Sequence, residues 1–420
     1  MFSILKYPSK SNYKLICERP SLDSDSLDTL IKDVFDQVKL TGDEALKSLT
    51  LQFDKKQLEQ LQYTQREINE LANLVPNELK EAIQVAYHNI YKFHDSQKLV
   101  EKRIETSPGV ICWQKSTAIE RVGIYIPGGT APLFSTILML AIPAKIAGCK
   151  EIVLCTPGDH PALFYAAQLC GVTQMFKLGG AQAIAAMALG TQSVPAVYKI
   201  FGPGNQYVTA AKLYANRLGI AIDMPAGPSE VAIFANETSN PAYIASDLLS
   251  QAEHGHDSQV VLVSTSENML NQSIQAVISQ LNTLPRKDFA ESSLKNSQFI
   301  LTESTAEAIE LLNEYGAEHL ILACDDAEEM ANSITNAGSI FLGHYTPESA
   351  GDYASGTNHT LPTNGFAKAY SGVNLDSFVK KITLQAISKA GLEYIGPSVI
   401  TMAEAESLQA HANAVKIRLT

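Results

Sequence analysis

The segment SQAEHGHDSQ, residues 250–259, concentrates side chains that can bind a metal ion. Gln251 and His254 are three residues apart at the end of a predicted helix, so both side chains lie on one face and can reach the same ion. Histidine is the commonest nitrogen ligand for zinc-like metals, and a glutamine carbonyl is a rarer oxygen ligand. A polar helix end without a metal explains this segment equally well.

An adjacent carboxylate and imidazole, Glu318 and His319, stand at the beginning of the apolar run HLILA, which predicts a buried strand. Burial shifts both pKa values toward neutrality, as general acid–base catalysis requires. The same dipeptide also occurs at strand starts that have no catalytic role. If the strands are parallel, this junction and the one after His254 lie on the same edge of the sheet, which favours a shared site.

Two further segments carry candidate ligands. The polar segment PESAGDYASGTNHTLPT, residues 347–363, follows a predicted strand. We expect a long loop here, in which Asp352 is either an oxygen ligand or a turn-forming residue.

In the C-terminal tail, Glu406 and His411 are five residues apart, about 140° around a helix. Both can face one site only if the helix ends between them or if the tail wraps a partner.

Three glycine-containing turns each follow a predicted strand and precede a predicted helix. They are IPGGTAP at 126–132, GGAQ at 179–182 and FGPGN at 201–205. None matches the dinucleotide fingerprint GxGxxG, and each turn by itself is explained by a tight connection. The carboxyl ends of successive strands are where open α/β sheets bind ligands, so the repetition indicates a ligand-binding edge.

The elements that must position these residues fall into a simple order. The first 100 residues have the pattern of helices, with S/T-x-x-E capping boxes at Thr41–Glu44 and Thr64–Glu67, and we interpret them as scaffold. From Arg121, short apolar runs alternate with helical patterns, and a second such series begins near Glu230. This alternation predicts βαβ units with parallel sheets. From about residue 374 the pattern is helical again.

The composition of the chain limits the classes of partner that it can bind. The 420 residues include 44 acidic and 32 basic side chains, and the net charge of −12 repels nucleic acid and anionic membranes. No apolar run reaches the roughly 20 residues that span a bilayer, and the N-terminus lacks the features of a signal peptide, so we expect a cytoplasmic protein. The six cysteines form no CxxC pair, which argues against a zinc–thiolate site. We interpret them as buried inert thiols, with a single catalytic cysteine as the alternative.

Eight motifs, in order and across nearly the whole chain, resemble the histidinol dehydrogenase family. They are VGIYIPGGTAP, GGAQAIAA, FGPGNQYVTAAK, AGPSE, LLSQAEHG, EHL, GDYASGTNH and the terminal HANAV. The resemblance implies the last two steps of histidine biosynthesis, in which L-histidinol is oxidised through L-histidinaldehyde to L-histidine with two molecules of NAD.

The resemblance also implies roles for individual residues. One zinc ion per subunit would have as ligands Gln251, His254, Asp352 and His411, and would hold the imidazole and amino nitrogens of the substrate. Glu318 and His319 would be the acid–base pair: His319 takes the alcohol proton and Glu318 activates water onto the aldehyde. Besides the zinc ligands and His319, the substrate pocket would include Ser229, His359 and Glu406. The residues assigned to NAD would be Tyr125, Gln182 and Asn205.

The family resemblance implies a homodimer in which the C-terminal segment completes the partner's site. The implied fold is α/β, with two Rossmann-like βαβ modules that are incomplete or atypical dinucleotide folds, an N-terminal helical segment and a C-terminal helical tail. We expect four parts: an N-terminal tail at 1–18, an α/β domain with the metal and catalytic residues at 19–120 plus 231–373, an inserted NAD-binding domain at 121–230, and a dimerisation segment at 374–420.

One position departs from the family pattern, and two other functions remain as alternatives. His256 stands where the family often has proline, and we interpret it as a polar loop residue rather than an additional ligand. The main alternative function is a zinc hydrolase in which Glu318 activates water, because a metal beside a carboxylate also suits amide cleavage. The other is a non-catalytic nucleotide-binding module. Neither the metal identity nor the substrate follows from the motifs alone.

Overall fold

The computed structural model describes residues 3–19, 25–129, 131–225 and 227–420. Thr130 of the IPGGTAP turn, Ala226 of AGPSE, and residues 1–2 and 20–24 of the two expected N-terminal parts lie outside these ranges. Among the described residues, no helix is both long and apolar enough to cross a membrane.

The helices of the described chain are α1 Tyr13–Ile16, α2 Asp25–Thr41, α3 Asp43–Asp54, α4 Gln65–Asn73, α5 Asn77–Asp95, α6 Phe134–Ala147, α7 Pro161–Cys170, α8 Gly180–Leu189, α9 Gln206–Arg217, α10 Pro241–Ala252, α11 Glu267–Leu281, α12 Lys287–Lys295, α13 Thr305–Tyr315, α14 Ala327–Ala331, α15 Glu348–Tyr353, α16 Lys389–Ala405 and α17 Gln409–Leu419. The strands are β1 Ile4–Lys6, β2 Ile104–Ser107, β3 Val110–Ala118, β4 Arg121–Tyr125, β5 Glu151–Cys155, β6 Gln174–Phe176, β7 Lys199–Phe201, β8 Ala221–Ile222, β9 Glu230–Ala235, β10 Gln259–Ser264, β11 Gln298–Leu301, β12 His319–Ala323, β13 Ser339–Leu342 and β14 Val379–Ile387.

The N-terminal helices test the two predicted capping boxes. The box at Thr64 is confirmed, because its hydroxyl accepts from the Glu67 amide at 3.2 Å and the Glu67 carboxylate accepts from the Thr64 amide at 2.6 Å. The box at Thr41 is wrong: α2 continues through Thr41, and α3 is preceded by Gly42, whose φ is 57°. Glycine permits this sharp turn between consecutive helices, so the Thr–Glu spacing here marks a helix end.

The first series of βαβ units forms a five-stranded parallel sheet with strand order β6-β5-β4-β7-β8. Its central strands are apolar on both faces, because α6 and α7 cover one side and α8 and α9 the other. All three glycine turns therefore lie at the carboxyl ends of strands of one sheet, as the sequence predicts.

The second series forms a six-stranded parallel sheet with strand order β1-β11-β10-β9-β12-β13. Strand β10 is buried at all six positions, as its continuous apolar run predicts. The α/β prediction with two parallel modules is confirmed. The sequence did not reveal that Ile4–Lys6, within the expected N-terminal tail, forms the edge strand of this sheet.

The C-terminal segment differs from the helical prediction. Residues Val379–Ile387 form β14, which pairs along its whole length with β3 in a three-stranded antiparallel sheet that also contains β2. Strand β14 reads VKKITLQAI, whose β-branched residues favour an extended chain. Only the part after residue 388 is helical, as α16 and α17.

Candidate active site between two sheet edges

Gln251 occupies the last turn of α10, which begins with a side-chain cap from Asn240. The Gln251 side chain is fully buried, and both its oxygen and its nitrogen lack a hydrogen-bond partner among the described residues. An unpaired buried amide costs about 1–3 kcal/mol, so these two atoms are placed for a ligand that the chain itself does not supply.

His254 follows two residues after the end of α10. The residue is exposed to solvent, yet the protein around its imidazole desolvates the ring, and this desolvation lowers its pKa. The charge of Asp352 acts in the opposite direction, while His319 lowers the pKa further. His254 and Asp352 therefore lie close enough for their charges to interact. The helix itself ends at Ala252, so His254 does not share a helical face with Gln251 in the way that the sequence spacing predicted.

Glu318 and His319 lie at the amino end of β12, in agreement with the sequence prediction. Because His319 pairs in register with Val231 of β9, Glu318 lies beside Glu230, whose backbone N–H donates to Glu318 Oε2 at 3.0 Å. Burial raises the pKa of Glu318 to about 8, and His319 opposes this rise. A carboxyl group with this pKa is able to exchange a proton near neutral pH.

Three carboxylates surround the His319 ring. Nδ1 lies 3.7 Å from Glu318 Oε2 and 3.6 Å from Glu348 Oε1, and Nε2 lies 3.4 Å from Asp352 Oδ1. Burial alone would lower the pKa of His319, but the negative charges of Glu348, Glu318 and Asp352 together raise it to about 10. The surrounding negative charges therefore favour the protonated form of the ring.

The expected long loop at 347–363 contains a short helix instead. Asp352 lies on α15, and Glu348 precedes it by one helical turn, so both carboxylates face His319. Glu348 is 1% exposed, and its Oε2 has no hydrogen-bond partner within the described chain. Burial raises its pKa well above the ordinary value, although His319 acts against this.

Two buried carboxylates of this region, Glu348 and Asp247, were not predicted from the sequence. Asp247 lies one turn before Gln251 on α10, where burial raises its pKa to about 7. Each lies four residues before a proposed ligand, Asp247 before Gln251 and Glu348 before Asp352, and this i, i+4 spacing could have indicated both carboxylates. For Glu348 this spacing was not usable, because the sequence did not predict that residues 348–353 are helical.

His359 connects this cluster to the other sheet. Its Nδ1–H donates to the Asp352 carbonyl at 2.8 Å, which leaves Nε2 to accept from the Thr136 hydroxyl at 2.9 Å. Thr136 lies in the first turn of α6, just after the glycine turn that follows β4. The amino edge of the six-stranded sheet therefore meets the carboxyl edge of the five-stranded sheet at this point.

The residues assigned to NAD lie at that carboxyl edge. Tyr125 ends β4, is buried, and accepts the Gly180 amide on its hydroxyl at 3.1 Å. Asn205 caps α9, because its Oδ1 accepts from the amides of Tyr207 and Val208. Gln182 is buried in the first turn of α8.

A glycine is required at one point of this edge. Gly202 has a φ of 127°, and a Cβ added there would lie 2.1 Å from the Tyr125 carbonyl oxygen. The two strand ends can approach this closely only because position 202 lacks a side chain.

Three residues named from the sequence, Glu406, His411 and His256, do not belong to the cluster around His319. Glu406 caps the end of α16 and α17 begins at Gln409, so the helix ends between Glu406 and His411, one of the two conditions stated for them. In the described part of the chain, no hydrogen bond or ion pair joins either side chain to the cluster around His319. His256 stacks on Phe289 with ring centroids 4.2 Å apart, outside the cluster.

Ser229 immediately precedes β9, at the same amino edge as Glu318. It lines a small recess with Arg19, whose guanidinium binds the Glu230 carboxylate through two contacts of 2.8 Å. The Arg19–Glu230 pair is nearly fully buried and holds the start of β9 in place.

The donor set fits a divalent metal ion. Ligand atoms of His319, Glu348 and Asp352 lie within 4.8 Å of one another, and the unpaired amide of Gln251 and the imidazole of His254 add further donors. Nitrogen and oxygen donors without thiolates suit several first-row divalent metals. Although all six cysteines are free, none belongs to this set.

The cluster also has the parts of a redox enzyme. A glycine-lined edge of a parallel sheet is a site where nucleotides bind, and the buried Glu318–His319 pair across from it is able to move protons. We therefore class the chain as an α/β dehydrogenase.

Comparison with known proteins gives the family. The model of the histidinol dehydrogenase family matches residues 17–419. The chain is 56% identical over 421 residues to a histidinol dehydrogenase of Bacteroides fragilis (strain YCH46), covering 99% of this chain and 98% of that protein. Identity to the Escherichia coli K12 protein of that name is 50% over 405 residues, covering 96% and 93%.

A solved structure agrees with these sequence matches. The crystal structure of histidinol dehydrogenase from Elizabethkingia anophelis superposes with a TM-score of 0.97 at 52% identity and covers 100% of this chain and 98% of that one. The chain belongs to the histidinol dehydrogenase family and is an oxidoreductase.

Proposed function

We propose that the protein is a homodimeric, cytoplasmic enzyme that oxidises L-histidinol through L-histidinaldehyde to L-histidine, with one zinc ion per subunit and two molecules of NAD per turnover. Family membership supports the substrate. The observation that carries the proposal is the buried Glu318–His319 pair, together with the buried Gln251 amide, which has no hydrogen-bond partner among the described residues.

The metal would be held by Gln251, His254 and Asp352 of one chain and by His411 of the partner subunit. The unpaired amide of Gln251 supports this set, because a ligated ion would satisfy a buried group that is otherwise unsatisfied. When bound, zinc would orient the imidazole and amino nitrogens of histidinol and act as a Lewis acid. Its positive charge beside Asp352 would also lower the pKa of His319, because it offsets the negative charges around that ring.

His319 and Glu318 would divide the proton transfers between them. In the first oxidation, His319 accepts the proton of the alcohol while NAD accepts a hydride. In the second, Glu318 takes a proton from the water that adds to the aldehyde, and the hydrate is then oxidised. The raised pKa of Glu318 supports this role, since a stronger base removes a proton from water more readily.

The remaining assigned residues would bind the two organic ligands. Ser229 and His359, with Glu406 of the partner subunit, would line the histidinol pocket. The NAD contacts would be Tyr125, Gln182 and Asn205. Their placement at the glycine-lined edge of the five-stranded sheet supports this assignment.

We also propose the domain division given above. Strands β4–β8 all fall within residues 121–230, while β9–β13 fall within 231–373 apart from the first residue of β9, which supports an inserted nucleotide-binding unit.

Purified protein mixed with histidinol and NAD tests the proposal. We expect about two equivalents of NADH per histidinol consumed, because two hydrides must leave the same carbon. Chelator-treated protein should lose this activity and regain it with zinc. No NADH from metal-replete protein would contradict the proposal, and amide hydrolysis by the same protein would instead favour the hydrolase alternative.

A further inference from the structure

The end of helix α3 reaches across the carboxyl edge of the five-stranded sheet. Asp54 is the last residue of α3, and the next residue, Lys55, has a left-handed conformation with φ of 56° that ends the helix. Lys56 then donates to the Pro157 carbonyl at 2.8 Å, in the turn after β5. The N-terminal helices, which the sequence indicated to be scaffold, therefore supply side chains to this edge.

Asp54 lies directly against the GGAQ turn. Its Oδ2 accepts from Gln182 Nε2 at 3.1 Å, and a Cβ added at Gly179 would lie 3.2 Å from the same oxygen. The side chain is half-buried, and burial raises its pKa while Lys56 lowers it. For the Asp54 Oδ1 atom, the described residues provide no hydrogen-bond donor, and this atom is not enclosed. One carboxylate oxygen is thus anchored and the other is available to a ligand.

Strand order indicates which part of a dinucleotide would lie there. The order β6-β5-β4-β7-β8 corresponds to 3-2-1-4-5 when β4 is counted first. In sheets of this order an acidic residue near the end of the second strand accepts a hydrogen bond from the adenosine ribose of NAD. Here the second strand, β5, ends at Cys155, and the first carboxylate after it is Asp159, which is exposed on the following turn.

We propose that Asp54, which lies against the glycine turn, supplies this carboxylate instead of Asp159: it accepts hydrogen bonds from the adenosine ribose hydroxyls of NAD and excludes the 2′-phosphate of NADP. The inference rests on the proposed function, because it assumes that NAD binds at this edge. Asp54 would act as a specificity residue for the cofactor, and Gln182 would orient it through the 3.1 Å hydrogen bond.

The Asp54→Asn variant tests this role with histidinol at saturation. We expect the KM for NAD to rise about tenfold, and the ratio of kcat/KM for NAD to that for NADP to fall by about tenfold or more, because a charge-assisted hydrogen bond and a repulsion are both removed. Zinc content and the KM for histidinol should remain unchanged. If Asp54 only held Gln182 in place, both cofactors would be affected equally, and an unchanged ratio would overturn the inference.

Asp159→Asn is the matched control. Asp159 is an exposed carboxylate on the turn after β5, where its charge acts on Tyr63. Asp159→Asn makes the same change in net charge, but it should leave the ratio of kcat/KM for NAD to that for NADP unchanged. A shift of the ratio in Asp159→Asn and none in Asp54→Asn would assign the ribose contact to Asp159 and refute the role of Asp54.

A cofactor analogue gives the same test without relying on the folding of a variant. Wild-type protein should use NAD lacking the adenosine 2′-hydroxyl about tenfold less efficiently than NAD, in kcat/KM. Equal use of the two would overturn the inference while leaving the proposed function intact. Absence of any NAD-dependent oxidation of histidinol by wild-type protein would instead mean that the proposed function has failed.

Discussion

Glu318 and His319 are neighbours in the chain whose charges depend on each other. Burial favours the neutral form of each side chain, whereas the attraction between carboxylate and imidazolium favours the charged form of both. For Glu318 burial has the larger effect, and its pKa rises to about 8. For His319 the three surrounding carboxylates have the larger combined effect, and its pKa rises to about 10.

Glu318→Gln should separate the two oxidations. Glutamine cannot take a proton from water, so we expect aldehyde oxidation to fall by about 10²- to 10⁴-fold while alcohol oxidation is much less affected. The measurement is the rate of NADH formation with histidinol and, separately, with histidinaldehyde. Equal losses in both half-reactions would contradict the assignment of Glu318 to the water step.

The pH dependence of the aldehyde step follows from the same group. Glu318 must be deprotonated to act as a base, and its pKa lies at about 8, so the rate should rise as pH increases through that value. We expect this limb of the profile to be absent in Glu318→Gln. The range from pH 7 to pH 9 extends about one unit on either side of this pKa. A wild-type rate of aldehyde oxidation that does not change over this range would show that another group controls the step.

Glu348→Gln should alter the titration of His319. Glu348 contributes the largest of the charge effects that raise the pKa of His319, so its neutralisation should lower that pKa. Because His319 must be unprotonated to accept the alcohol proton, the acidic limb of alcohol oxidation should move to lower pH. Profiles for the wild type and the variant give the comparison, and a shift to higher pH would contradict the predicted electrostatic role.

Helices α10 and α15 are the elements that set the distances in the site. Each presents two polar side chains one turn apart: Asp247 and Gln251 on α10, Glu348 and Asp352 on α15. Helix α15 packs closely on β13, and a Cβ added at Gly351 would lie 2.5 Å from Phe341 Cε1. The position of Asp352 therefore depends on the small size of its neighbour in the sequence.

Gly351→Ala should displace α15. Alanine normally favours a helix over glycine, but the overlap with Phe341 is expected to be larger and to cost about 1–3 kcal/mol. We expect a lower denaturation temperature and a lower affinity for zinc, measured by thermal unfolding and by metal content after dialysis. Ser349→Ala, on an exposed position of the same helix, should change neither. Unchanged zinc affinity in Gly351→Ala would show that α15 does not position a ligand.

At the scale of the whole molecule, the C-terminal segment has an unusual surface. Large apolar side chains are exposed along β14, α16 and α17, among them Ile382, Tyr394, Met402 and Ile417. Exposed apolar surface of this extent is typical of an interface. It supports the proposal that this segment packs on a second copy of the chain and brings Glu406 and His411 to the partner's site.

Mixed dimers test whether the tail crosses over. A dimer of one His319→Asn chain and one His411→Asn chain has one site with both defects and one intact site if the tails are exchanged. Random mixing of the two inactive variants should therefore restore about one quarter of wild-type activity, since half of the dimers are mixed. No recovery, in a mixture shown by tag-based separation to contain mixed dimers, would contradict a shared site.

Much of the fold followed from the sequence by itself. Apolar runs of strand length alternating with helical patterns predicted both parallel sheets, and the strand at HLILA placed Glu318 and His319 at its amino end. Local periodicity was sufficient here because both faces of these strands are buried. It failed at 347–353 and 379–387, where a short helix and an exposed strand have weak patterns of their own.

The segment around Gln251 and His254 shows which properties of the site depend on tertiary structure. Sequence spacing predicted that these two side chains share one helix face, but α10 ends at Ala252, before His254. Three features depend on packing between separate elements: the buried Gln251 amide, which has no hydrogen-bond partner among the described residues, the Glu348 carboxylate beside His319, 29 positions away, and the contact of Asp54 with Gln182, 128 positions away. Burial, charge and pKa in such a site are properties of packed neighbours, and only the folded chain determines which neighbours those are.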